Sequence, residues 1–503
     1  VGEGQVTVAG RALPSLPQYR KDGVTRRLCA SVHLDDAFAH EVDRELTGDR
    51  LTAIGLSLGI NFVALARHAR AAVRRRAALD RQLAGLGAAL VTAVLVALWG
   101  LVSGHGSVAQ VGIYGPLGVL AAAWWLVHRA ESRARATAQH VFRDPDKAET
   151  LAPPVEPQAE AWLHELKRAN VLPYADRAAL DNPFVGSGDE LREVVWQPID
   201  VSKPAEAPGG GKLPMRPFDA IDLHTYVARQ MESISGLDGL RARNRLYVLG
   251  SHAYLLPELL PDRTRRPRAQ IPKQFVQAGL QNPGAGMRTH LCLERVGEGG
   301  RLIVSMYLRA ILNRPSLTWE VSVYAIPPLG ARFYRLDRLP VARFDRWWSL
   351  VRYATSSTWP ELRGAPRRIR ARARQRRGSA KYLRRLRRDI TDQHVIHDCG
   401  APGSLRERIG DWSQAGYNER TDAADFLNRL QQGVLTATER FLKDHNVDTS
   451  SFDKAQQIIN TQTYNINNVN GPSNIGPHGQ INNPNGPQGN GPSGPGGGTP
   501  PKP

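Results

Sequence analysis

LAGLGAALVTAVLVALWGLVS, residues Leu83–Ser103, holds no charged residue. VAQVGIYGPLGVLAAAWWLV, Val108–Val127, is also uncharged, and only Gly104, His105, Gly106 and Ser107 stand between the two runs. As a helix rising about 1.5 Å per residue, each run spans a hydrocarbon core of about 30 Å. The reading is a membrane protein with an α-helical transmembrane hairpin, 83–103 and 108–127. The alternative is a buried helical pair inside a large soluble domain.

The flanks set the expected topology. Arg67, Arg70, Arg74, Arg75, Arg76 and Arg81 precede the hairpin, and Arg129, Arg133, Arg135, Arg143 and Lys147 follow it. The turn carries neither Lys nor Arg. The positive-inside bias then predicts a multi-pass protein of the cell membrane with both termini cytoplasmic and His105 facing out. Trp99, Trp124 and Trp125 fall toward the segment ends, where indoles favour the interface. Gly112, Gly115 and Gly118 allow close helix contact or, with Pro116, loosen the second helix.

The chain has 503 residues and a formal net charge of +19, enough length for two or three domains and enough charge to favour anionic partners. Three cysteines, Cys29, Cys292 and Cys399, are odd in number and far apart, which fits a reducing compartment rather than a disulfide framework. No secretory signal is expected, because the first apolar run comes late. The chain begins with Val, which leaves its true start open.

Residues 1–80 are expected to form a cytoplasmic helical region. In HLDDAFAHEVDREL, Phe38, Val42 and Leu46 share one helical face. Leu51–Ala66 is apolar but short, so it is read as a packed or interfacial helix, with a third span as the alternative. RRLCASVHLDDAFAHEVDRELTGDR, the hydrophobic stretch after it, RHARAAVRRRAALD and the hairpin together resemble uncharacterised actinobacterial two-helix membrane proteins. The resemblance covers about the first quarter of the chain and implies topology only.

Pro153, Pro154 and Pro157 mark a break, and Ala205–Lys212 marks a Gly-rich linker, so 128–214 reads as linker and helices. A cytoplasmic α+β domain is expected over 215–358. Its strands are predicted at Leu246–Gly250, on both sides of the turn Gly297–Gly300, and in LTWEVSVYAIPP. FDRWWSLVRYAT reads as a helix. Residues 359–450 then hold a polybasic segment and helices, the clearest being Thr421–Asn446, with Phe426, Leu430, Val434 and Phe441 on one stripe.

Arg363–Arg388 contains thirteen Lys or Arg and no acid, so it alone carries +13 of the +19. One reading is a solvated linker. The other is a lipid-binding segment, with Arg367, Arg368, Arg370, Arg384, Arg385, Arg387 and Arg388 held at an anionic inner leaflet, where each cation contributes on the order of 1 kcal/mol. Nucleic acid is the less favoured partner.

Chemistry-bearing motifs are scarce. HVIHDCG groups His394, His397, Asp398 and Cys399, but no second ligand pair accompanies it. Gly209–Lys212 lacks phosphate-loop spacing, and VGSGDE (Val185–Glu190) is no nucleophile elbow. No catalytic, cofactor or metal residues are assigned, and a non-enzyme is expected.

From Ser451 the composition turns to Asn, Gly, Pro and Gln. INNVNGP (Ile466–Pro472) recurs as INNPNGP (Ile481–Pro487), fifteen residues later. Gln457–Asn483 has few charges and many Asn, suited to stacked ladders. It resembles the RHIM-type amyloid signalling motifs of bacterial and fungal defence proteins, which centre on an aliphatic–Gly step. Here that step is Ile475-Gly476, and the assembly residues would be Tyr464, Ile466, Asn468, Val469, Asn474, Ile475, Gly476 and Ile481. Ser473 departs from the aliphatic residue usual two before the central one, and Pro472 and Pro477 confine any strand. The alternative is an inert disordered tail.

The functional expectation is a membrane-anchored signalling or cell-death effector, engaged through this tail by self-assembly or by a partner with a matching motif. The alternative is a membrane-tethered scaffold without enzymatic activity. An enzyme within Met215–Thr358 is a third class, and no motif supports it. If the tail assembles, a Gln457–Asn483 peptide forms seeded fibrils with a cross-β spacing near about 4.7 Å. Ile475→Pro abolishes them by removing a ladder donor. A wild-type peptide that stays monomeric with seeds present leaves only the disordered-tail reading.

Overall fold

A computed structural model describes residues 6–8, 11–13 and 18–452, apart from 104–105, 178–181, 235–236, 238, 285 and 341. The chain opens with β1 (Val6–Val8), β2 (Arg11–Leu13), α1 (Gly23–Leu34), α2 (Asp36–Asp43), α3 (Phe62–Val102), α4 (Gly106–Arg143) and α5 (Pro157–Leu166). Next come β3 (Val171–Tyr174), β4 (Asp189–Val195), β5 (Ile199–Asp200), α6 (Ala220–Glu232) and β6 (Leu240–Leu249). Then follow α7 (Lys273–Gln281), β7 (Met287–Gly297), β8 (Leu302–Asn313) and β9 (Ser316–Ile326). Three helices close the described chain: α8 (Arg343–Asp392), α9 (Leu405–Arg408) and α10 (Tyr417–Asp444).

Strands β6 to β9 form an antiparallel meander, because each is joined to the next in a register that keeps apolar residues opposite one another. Leu291 pairs Leu308, Leu293 pairs Met306, and Leu308 in turn pairs Val321. The turn between β7 and β8 needs Gly299 and Gly300, which sit at φ 66° and 93°. β3 adds in parallel beside β6, while β4 and β5 both pair with β9, giving a seven-stranded mixed sheet.

Both faces of this sheet are buried. Leu291, Leu293, Val304, Met306, Trp319 and Val321 meet Leu223, Val227 and Met231 of α6 and Leu430, Val434 and Phe441 of α10. The intervening residues Cys292, Ile303, Tyr307, Tyr324 and Ile326 share a second cluster with Leu28 of α1, Phe38 of α2 and Phe62–Ala66 of α3. Full burial of one such side chain contributes about 1.5–3 kcal/mol. α1, α2 and the start of α3 therefore form most of one cover, joined by Leu405 and Ile409 beside α9, and α6 and α10 form the other.

This arrangement overturns the expected fold class, a transmembrane hairpin beside a cytoplasmic α+β domain, and with it the multi-pass placement that put both termini on the cytoplasmic side. The chain is an α+β fold around a mixed sheet. Among the described residues one helix, Phe62–Gly100, is long and apolar enough to cross a membrane by length and composition, and its apolar window is 11% buried. No second helix among the described residues meets that measure. The physical reason lies in how the runs are placed. Counting uncharged residues ignores packing: Ala123 and Val127 of the second run are buried with Leu79 and Leu83 of α3 and Ala354, Leu362 and Ala365 of α8. It also ignores where the helices end: α3 and α4 extend well past the runs, and both pack on α1 and α8.

A fragment beginning at residue 167 lacks the first cover and bares Cys292, Ile303, Tyr307 and Tyr324. Produced alone, it is expected to aggregate or to bind a hydrophobic dye, and co-production with residues 18–166 restores a soluble, cooperative unit. A monomeric 167–452 fragment with a sharp thermal transition would show that the two covers fold independently.

Candidate anion-binding helix

The polybasic stretch is not a linker. It is the second half of α8, a single helix of 50 residues. Its apolar first half and basic second half join without a break, although Pro360 and Pro366 each remove a backbone donor. At about 1.5 Å per residue the helix is about 75 Å long.

One side of α8 is anchored. Ala354, Leu362 and Ala365 pack with Leu79 and Leu83 of α3 and Ala123 and Val127 of α4. Trp124 Nε1 donates to Thr355 Oγ1 at 3.2 Å, and Arg135 donates to Ser349 Oγ at 2.9 Å. Below this seam Asp80, with 0% side-chain exposure, accepts from Arg368 at 2.7 and 2.9 Å and pairs with Arg372. Glu361 joins the knot by accepting from Arg368 at 2.6 Å and from Arg76, which in turn pairs with Asp36 at 3.0 Å. Burial lowers the pKa of Arg368 and of Arg372, and the like charge of Arg76 adds to that. A carboxylate with no water contact is tolerable only when cations and hydrogen bonds surround it in this way.

The other side of α8 is open. Arg363, Arg367, Arg370, Arg374, Arg377, Lys381, Arg385 and Arg388 are all exposed and follow one another at steps of three or four residues. That spacing places them on one helical face, a row about 38 Å long. The same face begins earlier with Trp348 (54% exposed), Arg352 and Trp359 (56% exposed).

The seven arginines assigned to lipid by sequence therefore divide. Arg367, Arg370, Arg385 and Arg388 stand in the exposed row, with Arg384 and Arg387 exposed beside it. Arg368 is on the anchored side, committed to Asp80 and Glu361. Arg385 also lies 3.8 Å from Asp389, a surface pair that contributes little. Sequence reasoning missed Arg363, Arg374, Arg377 and Lys381 as members of the row, and missed Asp80 altogether. The signal was present, since a helical projection of Arg363–Arg388 separates the two faces. The assembly residues Tyr464, Ile466, Asn468, Val469, Asn474, Ile475, Gly476 and Ile481 lie outside the described residues.

The motifs set aside on sequence grounds have structural employment. Asp398 accepts from the backbone N–H groups of Gly400 and Asp176, both at 2.9 Å. Burial pushes the Cys399 thiol up to about 12, far from a reactive thiolate. Ser187 is fully buried and its hydroxyl lies 2.8 Å from that of Tyr307. The flanking Gly186 and Gly188 donate their N–H groups to Glu407. Among the described residues no group of three or more His, Cys, Asp or Glu is placed to hold a metal ion. A cavity of about 760 Å³ lies between the second half of α8, at Tyr382, Leu383 and Leu386, and the segment after α2, at Asp49, Leu51 and Ile54.

A family model described as the AbeC-like domain matches residues 195–474. No curated protein and no solved structure matches the chain. The matched stretch takes in β6 to β9, α8 and α10, and so includes the whole basic row.

Asp80→Ala leaves Arg368 and Arg372 without their carboxylate in a buried setting. It is expected to destabilise the protein by about 3–5 kcal/mol, measured by urea unfolding. Arg374→Gln on the open face should change stability by less than about 0.5 kcal/mol. Equal effects for the two would refute the division into an anchored and an open face.

Proposed function

We propose, for a chain that belongs to the AbeC-like domain family, that it is a docking protein whose open α8 face lies against an anionic lipid surface as a peripheral contact. The observation that carries this reading is the union of Trp348, Arg352 and Trp359 with the arginine row on one helix face. Indoles settle at the level of lipid headgroups, and arginines beside them meet headgroup phosphates. Each cation near such a surface contributes about 1 kcal/mol. A flat surface meets every member of a straight row, whereas a nucleic-acid duplex curves away from it. The knot at Asp80 fixes α8 to α3 at Arg368 and Arg372, so the start of the row is positioned before it meets a surface.

The effector reading adds the tail to this platform. It rests on the Asn-rich sequence of the tail alone, and the family match ends at residue 474. Ile475 and Gly476 lie just beyond it. In this reading α8 places the protein on the surface, and the tail gathers copies or recruits a partner for signalling.

The test uses the full chain and sedimentation with phosphatidylcholine vesicles, with and without phosphatidylserine. Replacing Arg370, Arg374, Arg377 and Lys381 with Gln should weaken binding to the anionic vesicles at least about a hundredfold, at about 1 kcal/mol per charge. Wild-type binding should fall steeply as salt rises. Equal binding to neutral vesicles, unchanged binding of the fourfold variant, or displacement of the vesicles by short duplex DNA would each defeat the proposal.

A further inference from the structure

A second basic site lies far from the open face of α8 in sequence, where the N-terminal cover meets the edge of the sheet. β6 is flanked by β3 only over its last four residues, Leu246–Leu249. Its first half borders the chain that leaves α5. There Arg241, Arg243 and Arg245 alternate along the strand and so point to one face. Beside them is a cavity of about 490 Å³, also lined by Lys21, Lys167 and Arg168.

The six cations are graded in depth. Arg245 forms the floor at 2% exposure and is held by Glu294 at 2.6 Å and by the Ala169 carbonyl at 3.2 Å. Arg243 is half-buried, with one guanidinium nitrogen donating to the Lys167 carbonyl at 3.2 Å. Burial holds its guanidinium below the usual arginine range, with Glu294 opposing and Arg241 and Arg245 adding. Lys21, Lys167, Arg168 and Arg241 form an exposed rim.

Two acids share the cavity, and both are engaged. Glu294 holds Arg245, and Asp22 holds Arg26 at 2.6 Å and Arg20 at 3.5 Å. Lys21, Arg168 and Arg241 make no ion pair among the described residues. The first turns of α1 and α3 open on the same space through Asp22, Thr25 and Asn61, and add the positive ends of two helices. Leu56, Leu58, Ile60 and Val296 form an apolar wall, and among the described residues no aromatic ring lines the cavity.

The geometry points to a binding pocket for a small polyphosphorylated ligand, held through its phosphates by Arg241, Arg243, Arg168 and the two rim lysines. Several cations converging on a concave space of this size suit a compact anion of high charge. The missing aromatic ring argues against recognition through a stacked base. Arg243 and Arg245 are already oriented by Lys167, Ala169 and Glu294, so the donors are in place before the ligand arrives. A free polyphosphate and a phosphorylated lipid headgroup present the same chemistry.

The experiment is calorimetric titration of the full chain with inorganic tripolyphosphate. Binding is expected in the wild type, together with a rise in melting temperature that follows ligand concentration. The double variant Arg168→Gln, Arg241→Gln should lose at least tenfold in affinity. Both side chains are on the rim, so the ligand-free melting temperature should not move. The fourfold α8 variant should keep wild-type affinity, which separates this pocket from the lipid-facing row. Vesicles carrying phosphatidylinositol bisphosphate distinguish the source. Retention that depends on Arg168 and Arg241 assigns a headgroup, and retention that does not assigns a free anion. Absence of tripolyphosphate binding at millimolar concentration, or unchanged affinity in the double variant, would overturn the pocket.

Discussion

A sheet that is apolar on both faces must be covered twice, and this requirement organises the chain. β7, β8 and β9 carry large apolar or aromatic residues at consecutive positions, so neither face tolerates water. α6 and α10 cover one face. The other is closed by α1, α2 and the first turns of α3, which come from the opposite end of the chain. The N-terminal residues are thus part of the core and not an appendage to it. Their placement then fixes where α3 and α4 emerge, and through them where α8 lies.

Charge is distributed by the same packing. A segment of thirteen cations with no acid of its own repels itself, so as a helix it needs carboxylates from elsewhere. Asp80 of α3, and Glu361 from the preceding turns of α8, supply them on one side only. The remaining cations stay on the far side in a row. The buried knot is weak evidence for added stability but strong evidence for position, because a misplaced helix would leave Asp80 buried and unpaired. The same logic recurs at β6, where Glu294 neutralises Arg245 and leaves Arg241 and Arg243 to face the cavity.

Parts of the fold were legible in the sequence. The strands around Gly297–Gly300 read from alternation and a Gly-rich turn, while the strand expected at Leu246–Gly250 is only the second half of Leu240–Leu249 and the helix expected at Thr421–Asn446 runs over Tyr417–Asp444. The hairpin was misread. Two uncharged runs satisfied the length rule, yet only one helix among the described residues meets the apolarity of a span. Of the basic site, the residues were visible but their sorting was not. Arg367 and Arg368 are adjacent and chemically alike, and one lies open while the other is bound to Asp80. The pocket at β6 was invisible, since Lys21, Lys167 and Arg241 are far apart along the chain.

The sequence by itself determined the local periods: alternation in the strands, the three-to-four spacing of cations on α8, and the apolar runs of α3 and α4. Those depend only on neighbours within a few residues, and backbone geometry converts them directly into faces. The tertiary structure decided which face meets what. It placed an acid 288 positions away against Arg368, and it brought six cations from three segments around one cavity. Ion pairing and burial act through space, over distances that the order of residues does not encode, and only the folded chain makes those distances short.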